Sequence, residues 1–182
     1  MCRGTARGSR GNFTPASAPL YNEPQRNGLY LRTLREAALL RHEVDGSESV
    51  LVEPSKLLAL VVYLACSPGR TATRDGLIDL LWSDLEPEAG RHALRQHLWQ
   101  LKKRVGDELL VEGRDQLVLK SSLDSDRTPF IAGSENSDFT AAIRIYTGDF
   151  FPSFAASGAV EFEHWVENER ADLRSRCVRC AD

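Results

Sequence analysis

The sequence predicts an α+β fold: a small N-terminal β-sheet, three helices and a closing β-hairpin, followed by a short helical segment. Three observations carry this prediction. Residues 29–52 hold three short apolar runs broken by turn residues, the pattern of paired strands. Residues 55–106 switch to helical spacing, with apolar positions three and four apart. Residues 109–119 return to two short runs around a turn-forming Glu-Gly-Arg-Asp, the pattern of a hairpin.

In chain order, residues 1–27 are rich in Gly, Ser, Pro, Arg and Asn and hold too few apolar side chains to fold, so a disordered basic tail is expected. Strands are expected at Leu29-Tyr30-Leu31-Arg32-Thr33-Leu34, at Ala38-Leu39-Leu40-Arg41 and, after a turn at Asp45-Gly46, at Ser49-Val50-Leu51-Val52. Pro54 opens a helix from Ser55 to about Cys66 that is apolar nearly all round, as a helix at the centre of a small domain must be. Ser67-Pro68-Gly69 ends it. Thr73 suits the N-cap of a second helix, with Asp75 favoured in its first turn and Leu77, Ile78, Leu81 and Trp82 on its inner face.

A short acidic loop, 83–86, leads to the third helix, Pro87 to Gly106. Pro87 suits the first turn, where no backbone N–H is needed, and Gly106 suits the C-terminal cap. Leu94, Leu98, Leu101 and Val105 form one apolar stripe. His92, Gln96, Trp99, Gln100 and Lys103 fall on the opposite face, with Arg95 and Lys102 flanking it, and His97 lies at the boundary. Two helices joined tightly, the second basic and amphipathic, have the shape of a helix-turn-helix. The hairpin Leu109-Leu110-Val111 and Gln116-Leu117-Val118-Leu119 then makes a wing, with Arg114 near its tip. The domain expected over 28–120 is a winged helix.

Residues 121–182 are expected to be helical, with one amphipathic helix over 138–146 and another over 161–176. The second places Phe162, Trp165, Val166, Glu169 and Leu173 at helical spacing. Its aromatic rings read as core, packed against each other, the winged helix or a second chain. Glu161, Glu163, Glu167 and Glu169 precede Arg170 and Arg174 at spacings that suggest surface ion pairs.

Composition bounds the function. At 182 residues, 42% hydrophobic and 27% charged, the chain is an ordinary globular protein with room for one domain and a smaller one. A net charge of −3 argues against nucleic acid, but its distribution argues the other way: +3 over 1–27, −1 over 28–120 and −5 over 121–182. Within the middle segment, 71–88 carries one base and five acids, whereas 89–106 carries five bases and no acid. A concentrated basic helix face is the electrostatic footprint of DNA binding; its bland counterpart is a solvated surface.

If the third helix enters the major groove, Arg95, Lys102 and Lys103 neutralise phosphates or reach guanine edges, and Gln96 and Gln100 pair with adenine. His92 is placed for a phosphate or a base. Trp99 has two readings: packing against the hairpin, or lying against the sugar-phosphate backbone or a thymine methyl. Arg114 reaches the minor groove or its phosphates from the wing.

An enzyme is not expected. The chain lacks G-x-S-x-G, P-loop, G-x-G-x-x-G and H-E-x-x-H motifs, and His42, His92, His97 and His164 are scattered. No cofactor or metal is expected either. Cys2 lies in the tail, Cys66 reads as a buried thiol, and Cys177 and Cys180 form a lone C-x-x-C with no second pair. The N-terminus has no apolar core of a secretory signal, and the run from Leu57 to Cys66 is shorter than the roughly 20 residues that span a bilayer. A cytoplasmic protein without a membrane partner is therefore expected, and the Asn12-Phe13-Thr14 sequon reads as chance.

The order of elements resembles the OmpR-type winged-helix domain, which also sets a small sheet ahead of its three helices. More narrowly, three stretches are similar to the SARP (antibiotic-regulatory-protein) class of bacterial transcriptional activators: Pro54-Ser55-Lys56-Leu57-Leu58-Ala59-Leu60, Arg74-Asp75-Gly76-Leu77-Ile78-Asp79-Leu80-Leu81-Trp82, and Ala93-Leu94-Arg95-Gln96-His97-Leu98-Trp99-Gln100-Leu101-Lys102-Lys103. Further on, Tyr146-Thr147-Gly148-Asp149-Phe150-Phe151-Pro152 and Glu161-Phe162-Glu163-His164-Trp165-Val166-Glu167-Asn168-Glu169-Arg170 resemble the start of the bacterial transcriptional activation domain, a tetratricopeptide-like helical array. The resemblance implies a transcriptional activator whose partners are double-stranded DNA and RNA polymerase, the latter met by loop 83–86, with a homodimer on repeated sites. Two features depart from the class. Its helical domain is usually much longer, so 121–182 corresponds to its first repeat or so, and its DNA-binding domains are often basic. The alternative function is a non-catalytic protein-interaction module that uses the winged helix and helical segment as a docking scaffold.

Overall fold

The computed structural model describes residues 28–120, 122–152 and 158–181; the expected tail at 1–27, with Cys2 and the sequon, lies outside them. β1 (Gly28–Arg32), β2 (Ala38–His42) and β3 (Glu48–Val52) form an antiparallel meander, as the three apolar runs predict. Its second turn is held locally. Gly46 adopts φ 81° and donates its N–H to the Glu43 carbonyl at 3.0 Å, while the Asp45 carboxylate accepts from the Ser47 N–H at 2.9 Å. Leu29, Leu31, Leu39 and Val52 carry the sheet into the core.

α1 (Lys56–Cys66) starts at Ser55, whose hydroxyl accepts from the Leu58 N–H at 3.4 Å, and seven of its 11 residues are buried. The all-round apolar pattern is thus the pattern of the central helix. A single 3-10 turn leads to β4 (Thr71–Thr73), a strand absent from the sequence reading because three residues, Thr-Ala-Thr, show no alternation. α2 (Arg74–Leu81) is capped by Thr73, which accepts from the Gly76 N–H at 3.1 Å, and it buries Leu77, Ile78 and Leu81. α3 (Pro87–Val105) begins at Pro87 and ends where Gly106 takes φ 81°; it buries Gly90 and the stripe Leu94, Leu98, Leu101 and Val105. β5 (Leu110–Glu112) and β6 (Gln116–Leu119) form the hairpin, and β6 also pairs with β4, so the wing sheet has the order β4-β6-β5. Together these elements are a winged helix.

Beyond the wing, β7 (Asp124–Ser125) joins the first sheet parallel to β1, giving the order β3-β2-β1-β7. α4 (Arg127–Glu135), α5 (Phe139–Ile145) and α6 (Val160–Ala181) follow. α5 and α6 were legible; α6 runs five residues past the predicted end and takes Cys177 and Cys180 into the helix. α4 was not, because Pro129 and Gly133 obscure a helical pattern that has one buried anchor, Phe130.

The packing partner of the C-terminal aromatics is the winged helix as well as their own segment. The Trp165 ring meets Tyr63 of α1 edge-on at 5.1 Å, and Phe162 and Phe151 meet edge-on at 5.6 Å. The backbone interlocks too: Phe151 N–H donates to the Thr33 carbonyl at 2.7 Å and Arg35 N–H to the Asp149 carbonyl at 3.0 Å. The expected ion pairs along α6 are corrected in part. Arg170 does pair with Glu167, but Arg174 reaches Asp149 at 2.6 Å and Glu169 is taken by Arg127 of α4 at 2.7 Å, because acids and bases of neighbouring elements lie within reach of the helix. Among the described residues no helix is long and apolar enough to cross a membrane.

Candidate nucleic-acid interface

The buried stripe of α3 fixes which way its polar face points. With Leu94, Leu98, Leu101 and Val105 against the core, His92, Arg95, Gln96, Trp99, Gln100, Lys102 and Lys103 are all exposed. Arg114 is exposed in the turn between β5 and β6. The eight side chains read from sequence therefore lie on two surface elements. A cleft of about 260 Å³ joins these elements, lined by Arg74, Asp75 and Ile78 of α2, Arg91, Leu94 and Arg95 of α3, and Asp115 of the wing turn. Gly90 sets the closeness of α2 and α3: a Cβ there would come within 2.5 Å of the Ile78 Cγ2.

The cations on this surface differ in how firmly they are held. Arg91 pairs with Glu88 at 2.8 Å and Arg104 donates to the Leu51 carbonyl at 3.3 Å. Lys102 pairs with Asp107 at 2.7 Å, and that carboxylate raises the lysine's pKa. This partner, five residues on and past the helix end, was not visible in the helix pattern. Both members are exposed, where water screens such a pair and makes it weak. Among the described residues Arg95 and Arg114 have no ion-pair partner. The Lys103 ammonium sits over the Trp99 ring, 5.3 Å from its centroid.

Trp99 is resolved by the structure. It is 63% exposed and is not among the side chains packed against the core, which goes against packing on the hairpin. Trp82, at the end of α2, does pack inward and lies edge-on to His97 at 4.9 Å, which makes His97 the boundary residue its position implied. Arg74 and Arg91 are cations beside the cleft that the helix-face reading passed over. Arg91, one turn before Arg95 on the same side, is the one the spacing could have found. Arg74 is held by Glu112 at 2.9 Å.

No protein-family model matches the chain, and no curated protein matches it. Among solved structures it is similar to Mycobacterium tuberculosis EmbR in complex with a low affinity phosphopeptide, with a TM-score of 0.59 and 18% identity. The likeness shows that the two chains share a fold. The match covers 84% of this chain and 43% of that one, so the chain spans less than half the length of its neighbour. At this identity the likeness concerns the fold; the phosphopeptide belongs to EmbR.

Among the described residues no group of three His, Cys, Asp or Glu is placed to hold a metal ion. Burial pushes the Cys66 thiol up to about 12 and raises that of Cys177 as well, the opposite of what a nucleophilic thiol needs.

Proposed function

We propose that the chain is a sequence-specific DNA-binding transcriptional regulator, an activator, that inserts α3 in the major groove of double-stranded DNA. The observation that carries this reading is the exposed α3 face, which offers Arg95, Gln96, Gln100 and Lys103 together with Arg114 on the adjoining wing, which has no ion-pair partner among the described residues. Arg95, Lys102, Lys103 and Arg114 supply phosphate contacts, and His92, Gln96, Trp99 and Gln100 supply the base-reading surface. The overall charge of −3 does not oppose this, since the net negative charge lies mainly in 121–182, at −5, against −1 over 28–120.

The SARP-like fold supports a regulator of that kind. In it, 28–120 is the DNA-binding domain and 121–182 the start of a tetratricopeptide-like activation domain; the helical pair α4 and α5 supports the latter. Loop 83–86 is exposed and stands in an acidic stretch, which suits it to RNA polymerase, and a homodimer on repeated sites completes the reading. A cytoplasmic location goes with it.

An anisotropy titration of the chain against a labelled duplex at two salt concentrations tests the proposal. Affinity should fall steeply with salt, with a log-log slope of about −0.9 for each phosphate contacted. Absence of DNA binding, or binding indifferent to salt, overturns it in favour of the docking scaffold.

A further inference from the structure

The outward face of α3 is polar except at one position. Trp99 stands there with 63% of its surface in water, a placement that favours neither folding nor solubility. Its neighbours on the same face are His92, Gln96, Gln100 and Lys103, all exposed. Lys103 lies over one face of the ring, 5.3 Å from the centroid, so the lysine is held on the indole rather than by an acid.

The chemistry of an indole restricts what it can read. It offers a broad apolar ring and one N–H, a donor with no acceptor capacity. In the major groove, thymine alone presents an apolar methyl beside an acceptor, O4. Cytosine offers a donor at N4, which faces the indole N–H unfavourably and brings no methyl. Guanine and adenine offer acceptors without an apolar group. A phosphate accepts from the N–H but leaves the ring in water.

We infer that Trp99 is a thymine reader: its ring covers the C5 methyl of one thymine in each bound site, while Lys103, held on the opposite ring face, is delivered to the adjacent phosphate. This rests on the proposed insertion of α3 in the major groove and assigns the base that face selects.

The test starts from duplexes recovered by the full chain from a randomised library. The tightest one is resynthesised with deoxyuridine in place of each thymidine in turn, a change that removes only the methyl. For the unmodified chain, one replacement per site should weaken binding about fourfold, the worth of one buried methyl. The same replacement should have no effect on Trp99→Ala, and should keep most of its effect on Trp99→Phe, which retains the ring and loses the N–H. Since Trp99 is exposed, these variants are expected to unfold at the parent's temperature.

Three outcomes overturn the inference. One is that no deoxyuridine position matters. Another is that the sensitive position stays equally sensitive in Trp99→Ala. The third is that Trp99→Ala weakens binding equally to the selected duplex and to random duplex, which marks a backbone contact. Failure of the unmodified chain to recover or bind any duplex is a different result, and it removes the DNA-binding reading itself.

Discussion

Asp126 is 8% exposed and carries its carboxylate into the joint between the N-terminal sheet and α4. It accepts from the Thr33 hydroxyl at 2.6 Å, from the Thr33 N–H at 2.8 Å and from the Leu34 N–H at 2.8 Å. Burial pushes its pKa up, and these bonds, which favour the charged form, work against that shift. Asp126→Ala leaves two enclosed backbone donors without an acceptor. It should lower unfolding free energy in urea by about 3 kcal/mol, at about 1–3 kcal/mol for each buried group left unsatisfied. A loss below about 1 kcal/mol would mean that water replaces the carboxylate and that the joint is open. None of this is legible in the sequence, because Asp126 and Thr33 lie 93 residues apart.

At the scale of elements, what could be read depended on length. α1, α2 and α3 declare themselves through periodicity and caps: Ser55, Thr73 and Pro87 occupy the starting positions their chemistry predicts. β4 and β7 have three and two residues, and they are strands only because β6 and β1 offer them an edge. The contact between α2 and α3 depends on Gly90. Gly90→Ala drives a methyl into Ile78 and should destabilise the fold by about 1–3 kcal/mol, the usual range for overpacking. Thermal unfolding checks this; an unchanged midpoint would show that Ile78 can rotate away. α6 is tied on by Phe162, fully buried between Phe151 and Trp165. Phe162→Ala should cost about 3–5 kcal/mol. If α6 were only a loosely attached arm, the same change would leave the unfolding of the winged helix where it is.

Seen as a whole, the molecule separates its charges along the chain: 89–106 carries five bases and no acid, 71–88 one base and five acids, and 121–182 a net −5. In the fold, Asp75 and Asp115 still line the cleft beside Arg91 and Arg95. That separation was visible in the sequence once charge was counted by segment, and the stripe of α3 told which bases face outward. The pairing of those bases was not visible. Lys102 is engaged by Asp107, and Lys103 rests on Trp99, so Arg95, Lys103 and Arg114 remain the cations readiest to meet an anion. The central claim is that α3 meets the phosphates of DNA, and one measurement tests it most directly. The affinity of the parent chain and of the Arg95→Ala/Lys103→Ala double variant for one duplex is followed as salt rises. The account predicts weaker binding at low salt and a log-log slope shallower by about 1.8, the release expected for two phosphates. A double variant with the parent's affinity and the parent's slope would contradict it.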